Sequence, residues 1–127
     1  MGEGYESFEE LGAWQKAREL KNEIFELVKR FPKDEKFRLV DQLIRSTRSI
    51  NGRLSEGHGR RTFPDRLNFS IQARGSLSET LNHIIDAFDC KYITAEELLY
   101  YRTKINGVER PLNGYISWLE SKIPAKK

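Results

Sequence analysis

The sequence predicts an all-α protein, an antiparallel four-helix bundle of up-down-up-down topology, and three observations carry that prediction. Apolar residues recur at steps of three and four along four long stretches, the period of an amphipathic helix. Short Pro- and Gly-bearing breaks separate those stretches, and short connections force neighbouring helices to run antiparallel. No window alternates with period two, and Asn106-Gly107 falls inside a helical pattern rather than between two strand-like runs. A chain of 127 residues suits one domain, residues 1–127, because that length buries one useful core.

The first helix is expected over about 8–31. Ser7-Phe8-Glu9-Glu10 has capping-box spacing, and Pro32 supplies the stop. Its apolar set runs Leu11, Trp14, Ala17, Leu20, Ile24, Leu27, Val28 and Phe31. Trp14 and Phe25 widen the arc on one shoulder, and Leu20 and Leu27 widen it on the other, beyond the stripe one core requires. The second helix is expected over about 35–57, capped near Asp34, with Phe37, Val40, Ile44 and Thr47 on its core face. Gly57-His58-Gly59 then favours a left-handed helix end and a loop.

Thr62 before Phe63-Pro64-Asp65 starts a third helix, about 63–91, since Pro is tolerated in a first turn. Leu67, Ile71, Leu81 and Ile85 mark its apolar face, and Gly75 offers a close helix crossing. Thr94-Ala95-Glu96-Glu97 is a second capping box. From it Leu98, Tyr101, Ile105, Val108, Leu112, Ile116 and Leu119 carry a fourth helix over about 95–123, with Pro111 placed to kink or interrupt it.

Composition excludes several classes. Cys90 is the only cysteine, so there is no intrachain disulfide and no cysteine cluster for zinc or iron–sulfur; it is expected to serve packing. No stretch approaches the roughly 20 apolar residues that span a bilayer, and Met1 to Glu10 lacks the order of a signal peptide. A cytoplasmic protein without membrane contact is the expectation. His58 and His83 lie in no metal-ligand or hydrolase spacing, and His58 is expected in the loop. Glu79 and His83 stand four apart rather than the three of a di-metal carboxylate bundle. The expectation is no catalysis, no metal and no cofactor.

Charge is more informative in its distribution than in its sum. From Arg38 to Arg74 there are eight arginines and no lysine against Asp41, Glu56 and Asp65, a net of +5 in a chain whose formal charge is +3. On a helical wheel Arg38 and Arg45 coincide, Arg48 and Arg53 flank them, and Arg60 and Arg61 extend the set into the loop. Arginine stays charged and grips phosphate with two parallel hydrogen bonds, so this set suits a polyanion. An ordinary solvated face paired with Asp41 is the competing reading.

Arg74 shares the angle of Leu67, Ile71 and Leu81, which puts a cation on an apolar face and requires a partner from another helix or another subunit. Tyr100 and Trp118 lie opposite the apolar stripe of the fourth helix. With Trp14 and Phe25 they read as surplus apolar surface for self-association.

Several motifs together resemble the four-helix-bundle proteins first described from intervening sequences in bacterial 23S rRNA genes. They are Phe8-Glu9-Glu10-Leu11 with Trp14-Gln15-Lys16-Ala17; Phe31-Pro32-Lys33-Asp34-Glu35; Ser55-Glu56-Gly57-His58-Gly59-Arg60-Arg61; and Ala73-Arg74-Gly75-Ser76-Leu77. The resemblance covers nearly the whole chain and implies a ring-like homopentamer. It also brings in relatives encoded beside diversity-generating retroelements, basic pentamers that bind nucleic acid and a reverse transcriptase. No catalytic residues carry over. Where the family usually has Ser-Ile-Pro-Ser-Asn-Ile-Ala-Glu-Gly, this chain has Ser49-Ile50-Asn51-Gly52-Arg53-Leu54-Ser55-Glu56-Gly57, which loses a proline and adds the charge of Arg53.

Overall fold

The computed structural model describes residues 7–125. Four helices dominate it: α1 (Gly12–Leu27), α2 (Leu39–His58), α3 (Phe63–Asp89) and α4 (Ala95–Ser121), and the described residues contain no strand. Each helix packs on the next, and α4 closes back onto α1, so the bundle is antiparallel and up-down-up-down as expected. Leu20, Ile24, Leu43, Ile50, Leu54, Ile84, Leu112 and Leu119 lie fully buried in one apolar cluster between them. Each such side chain contributes about 1.5–3 kcal/mol relative to exposure.

The caps explain where the helices begin. Thr94 and Glu97 form the expected reciprocal box: the Glu97 amide donates to Thr94 Oγ1 at 3.1 Å, and the Thr94 amide donates to Glu97 Oε1 at 2.9 Å. Thr62 accepts from the Asp65 amide at 3.3 Å, with Pro64 in the first turn of α3. Ser7 behaves differently. Its Oγ accepts from the Glu9 amide at 3.1 Å and caps a 3₁₀ turn, Phe8–Glu10, so α1 proper starts only at Gly12. A second 3₁₀ turn, Val28–Arg30, finishes α1 before Pro32.

The start of α2 corrects the sequence reading. Lys33–Glu35 is a separate 3₁₀ turn and Arg38 is the N-cap, so Phe37 precedes the helix and is 84% exposed instead of facing the core. Its three-residue spacing to Val40 spans a turn, where that spacing sets no common face. Past this point α2 runs unbroken through Asn51, which is buried and donates from Nδ2 to the Trp14 carbonyl on α1 at 3.0 Å. His58 is the last residue of α2 rather than a loop residue, and Gly59 has a right-handed φ of −78°.

The left-handed end occurs on α3. Lys91 has φ 66°, its amide donates to Phe88 O at 2.9 Å and the Tyr92 amide to Ala87 O at 2.9 Å, the paired bonds of a Schellman cap. Cys90 ends that helix exposed, not packed. Pro111 sits within α4 without ending it.

The α2–α3 contact fixes the rotation of α3. Ser70, Ala73, Leu77, Thr80, His83, Ile84 and Ala87 are buried, while Leu67, Leu81 and Ile85 are half-buried and Ile71 is 42% exposed. Small residues let the backbones approach. Ser46 and Thr80 share a hydrogen bond of 2.8 Å, Ser76 donates to Ser49 at 2.9 Å, and a Cβ on Gly57 would lie 2.7 Å from Phe69 Cβ. Gly57 therefore provides the close crossing expected of Gly75, where an added Cβ would meet nothing within 4 Å.

Candidate nucleic-acid interface

All six arginines singled out from the sequence are exposed, but they form two groups and an outlier. Arg45 and Arg48 occupy the middle of the outer face of α2, whereas Arg53, Arg60 and Arg61 gather at its C-terminal end. Arg38, at the N-cap, stands apart from Arg61 by the whole of α2, about 30 Å at 1.5 Å per residue. The six do not form one tight patch.

Two carboxylates serve this surface. Asp41 lies 3.7 Å from Arg45; Glu56 lies 3.0 Å from Arg60 and 3.9 Å from Arg53. These pairs are solvent-exposed, and each contributes less than about 1 kcal/mol, so a phosphate can replace the carboxylate at little penalty. Arg38 and Arg61 make no ion pair among the described residues. Stacking holds two of the others: Arg48 lies over the Phe25 ring at 5.1 Å and Arg60 over Phe69 at 4.7 Å. A stacked guanidinium is held in place while its N–H edge stays available.

The residues read as surplus apolar surface divide likewise. Phe25 is half-buried beneath Arg48, so part of the wide arc of α1 is covered from within the chain. Trp14 is half-buried, with Phe8 at its edge at 5.1 Å and Arg18 over its face at 5.8 Å. Trp118 does not point away from the bundle: it packs on the core, meets Phe63 edge-on at 5.8 Å and stacks with Tyr115 at 6.0 Å. Tyr100 is 48% exposed, and its hydroxyl donates to Glu23. Arg74 is half-buried at the edge of α3, where Nη1 donates to Asn113 Oδ1 of α4 at 3.1 Å. Its partner thus comes from another helix of the same chain.

Sequence reasoning missed Arg66, Phe63, Phe69 and Lys122. Arg66 Nε donates to the Arg60 carbonyl at 2.9 Å, and its guanidinium lies 5.6 Å from the Phe63 ring centre. Lys122 lies 5.6 Å from the centre of Trp118. The signal in the sequence is the three-residue spacing of Phe63 and Arg66 on one helical face, masked by the cap that Thr62-Phe63-Pro64-Asp65 also forms.

A different chemistry lines the α1–α4 side. A groove of about 480 Å³ there is bordered by Glu23, Glu26, Arg30, Glu97 and Tyr101. Arg30 grips both oxygens of Glu97, at 2.7 and 3.1 Å, which with the Thr94 amide holds that carboxyl down at a pKa of about 2. Lys104 bonds Glu23 at 2.9 Å, and the hydrogen bonds from Tyr100 and Lys104 outweigh burial and lower the Glu23 pKa. Three carboxylates around one guanidinium repel phosphate, so this groove does not suit a polyanion. Among the described residues no group of three or more His, Cys, Asp or Glu could hold a metal ion, and no helix is long and apolar enough to cross a membrane.

Comparison with known proteins places the fold. The chain is similar to a solved structure described as a protein with unknown function from the S23 ribosomal protein family of Bacteroides thetaiotaomicron VPI-5482. The two are 23% identical over 83% of this chain and 95% of that chain, with a TM-score of 0.75, a likeness that speaks for the fold alone. No curated protein matches significantly. The sequence pattern of the family described as 23S rRNA-intervening sequence protein matches residues 9–114, from the turn before α1 well into α4, and neither description names a catalytic activity. This chain belongs to the 23S rRNA-intervening sequence protein family.

Proposed function

We propose that the protein is a non-enzymatic, oligomeric accessory protein that binds nucleic acid without sequence preference through the arginine face of α2. The observation that carries this reading is the imbalance on that face: six exposed arginines, Arg38, Arg45, Arg48, Arg53, Arg60 and Arg61, against Asp41 and Glu56. Guanidiniums stacked on Phe25 and Phe69 keep their orientation and present a ready edge to phosphate. Such contacts position a polyanion and read no bases. The self-assembly is a homopentamer in this reading, and a reverse transcriptase is a candidate partner of the assembled ring, both on the strength of the family resemblance.

Fluorescence anisotropy with duplex DNA and with structured RNA, across a salt series, tests the proposal. Affinity falls steeply with salt if several phosphates are neutralised, and Arg60→Ala with Arg61→Ala weakens binding to both by about tenfold and flattens the salt slope. Absence of binding at low salt, or indifference to the double substitution, sinks it.

A second reading rests on Phe37 and Leu99, exposed at 84% and 65%, with Tyr100 beside Leu99. Apolar surface of that kind suits a protein partner, and the molecule is then a scaffold that touches no nucleic acid. Co-purification of a protein partner free of nucleic acid, lost with Leu99→Asp, separates the two readings.

A further inference from the structure

α3 carries two seams at alternating steps of three and four residues, and the bundle buries only one of them. The buried seam is built mostly of small residues, Ser70, Ala73, Thr80 and Ala87, with Leu77 and Ile84 among them. The second seam keeps the same rhythm on the shoulder toward α4 and holds the larger side chains. Counted in heptads, Ile71, Ser78 and Ile85 take the a positions; Leu67, Arg74, Leu81 and Phe88 take the d positions. Isoleucine at a with leucine at d is the pattern of a helix that packs on another helix by knobs into holes.

In the single chain this seam stays open. Ile71 and Phe88 are exposed, and Leu67, Leu81 and Ile85 are half-buried. The Arg74–Asn113 bond sets the register of α3 on α4, and at an equal distance from that bond along each helix Phe88 comes level with the exposed Leu99. Leu99 thus extends the strip onto α4. From Leu67 to Phe88 the strip covers three heptads, about 30 Å at 1.5 Å per residue. It lies away from α2, which meets the other side of α3 through Ser46 with Thr80 and Ser49 with Ser76.

The charges of α3 indicate what covers the seam. Arg66 and Arg74 lie in its N-terminal half, where Asp65 alone opposes them; Glu79, Asp86 and Asp89 lie in its C-terminal half. A second α3 laid parallel would set Arg74 against Arg74 at a d position. Laid antiparallel, it sets the acidic half against the basic half and brings each a residue to a d residue: Ile71 to Phe88, Ile85 to Arg74, Ser78 to Leu81. Asp86 and Asp89 of the second copy then come within a helical turn of the Arg74 level. In its own chain Arg74 is held by the neutral amide of Asn113.

We infer that α3 pairs antiparallel with α3 of a second copy of the chain, about a two-fold axis between the levels of Ser78 and Leu81. Such a contact joins like faces and is complete at two copies, whereas a ring is closed by head-to-tail contacts between unlike faces. The pairing therefore goes beyond the ring of the proposed function and doubles it, and it leaves the arginine face of α2 open.

Sedimentation equilibrium of the full chain reads the pairing as an even number of chains, two where no ring forms and ten where the ring is a pentamer. Ile71→Glu and Phe88→Glu, both at exposed positions, each place an unpaired charge in the seam. Each is expected to halve the mass and to weaken pairing about a hundredfold, with an unchanged helical circular dichroism spectrum. Arg74→Glu is expected to halve it too, and adding Asp86→Arg with Asp89→Arg to restore it, a rescue that a parallel pair would not give. Cross-linking reads the direction: in a Cys90→Ser background, Ser78→Cys is expected to link two chains on mild oxidation. Ile85→Cys is not, because reversal carries the two copies of that position about 16 Å apart along the helices.

An odd number of chains, a mass indifferent to both Ile71→Glu and Phe88→Glu, or an Ile85→Cys cross-link as efficient as that of Ser78→Cys overturns the inference. A single ring that still binds nucleic acid through Arg60 and Arg61 overturns the pairing and leaves the proposed function in place. Paired chains that bind no nucleic acid at low salt overturn the proposed function and support the pairing.

Discussion

The two sides of the bundle are joined by opposite means. Between α2 and α3 the contact is made of small and hydroxyl-bearing residues: Ser46 with Thr80, Ser49 with Ser76, and Gly57 beneath Phe69, with no ion pair between the two helices among the described residues. Between α1 and α4 the ties are charged: Arg30 with Glu97, Lys104 with Glu19 and Glu23, and Tyr100 with Glu23. Helices adjacent in the chain can pack closely with little loop to close. The α1–α4 pair closes the longest loop of the fold and is bridged by ionic side chains along its outer edge. One seam depends on shape and the other on charge.

That contrast can be broken one seam at a time. The largest effect is expected at Gly57→Ala, where a Cβ would sit 2.7 Å from Phe69 Cβ and the helices must part; the loss is about 1–3 kcal/mol by urea unfolding and is insensitive to salt. Next comes Glu97→Gln, which removes the Arg30 ion pair and weakens the capping box, for about 1 kcal/mol at neutral pH and low salt. Folding lowers the Glu97 pKa from 4.5 to about 2, chiefly through Arg30, so its stabilisation is complete above 4.5 and disappears as pH falls toward 2. Acid unfolding of the Gln variant should therefore lack that portion of the pH dependence. If instead Glu97→Gln were indifferent to salt and Gly57→Ala were not, the assignment of shape and charge to the two seams would be reversed.

Smaller effects sharpen the comparison. Gly75→Ala, on α3 but with open space about its Cβ, is expected to raise stability by about 0.5–1 kcal/mol, opposite in sign to Gly57→Ala on the facing helix. The smallest concerns Tyr92, which donates to Glu35 at 2.7 Å and so has its phenol pushed up to about 12. Its contribution is present below pH 10 and lost as pH rises through 12. Tyr100 and Tyr101 are raised as well, through Glu23 and burial, so ultraviolet titration should find several tyrosines ionising late and Tyr92→Phe should remove the component near 12.

The fold was readable from the sequence wherever polar capping residues or a broad apolar stripe decided the matter. Thr62 and Thr94 marked the starts of α3 and α4, and the stripe from Tyr101 to Leu119 is buried as a reader of apolar periodicity expects. The rotation of α3 was not readable in that way, because a hydrophobic wheel weights Leu67, Ile71, Leu81 and Ile85, whereas the tight seam buries Ser70, Ala73 and Thr80. Close approach selects for smallness before hydrophobicity. The same misplacement put Arg74 on a core face when it stands at the α3–α4 edge with Asn113. At the candidate interface the arginines were legible as charge; the aromatic rings beneath them were not, since Phe25 reaches Arg48 and Phe63 reaches Trp118 only after the chain has folded.

The turn after α3 bears on how close this protein stands to its own optimum. Lys91 adopts a left-handed backbone where glycine would be unstrained, at a cost of about 1 kcal/mol, and yet the Schellman cap around it is complete. The cap places Tyr92 against Phe31 and Glu35, so the geometry of the bend is retained while the cheapest residue for it is not. Natural chains drift at stability above a threshold and leave such gains unused. Lys91 marks one unused gain, and a member of this family with glycine at the bend would have more tolerance for destabilising change elsewhere, including along the basic face of α2.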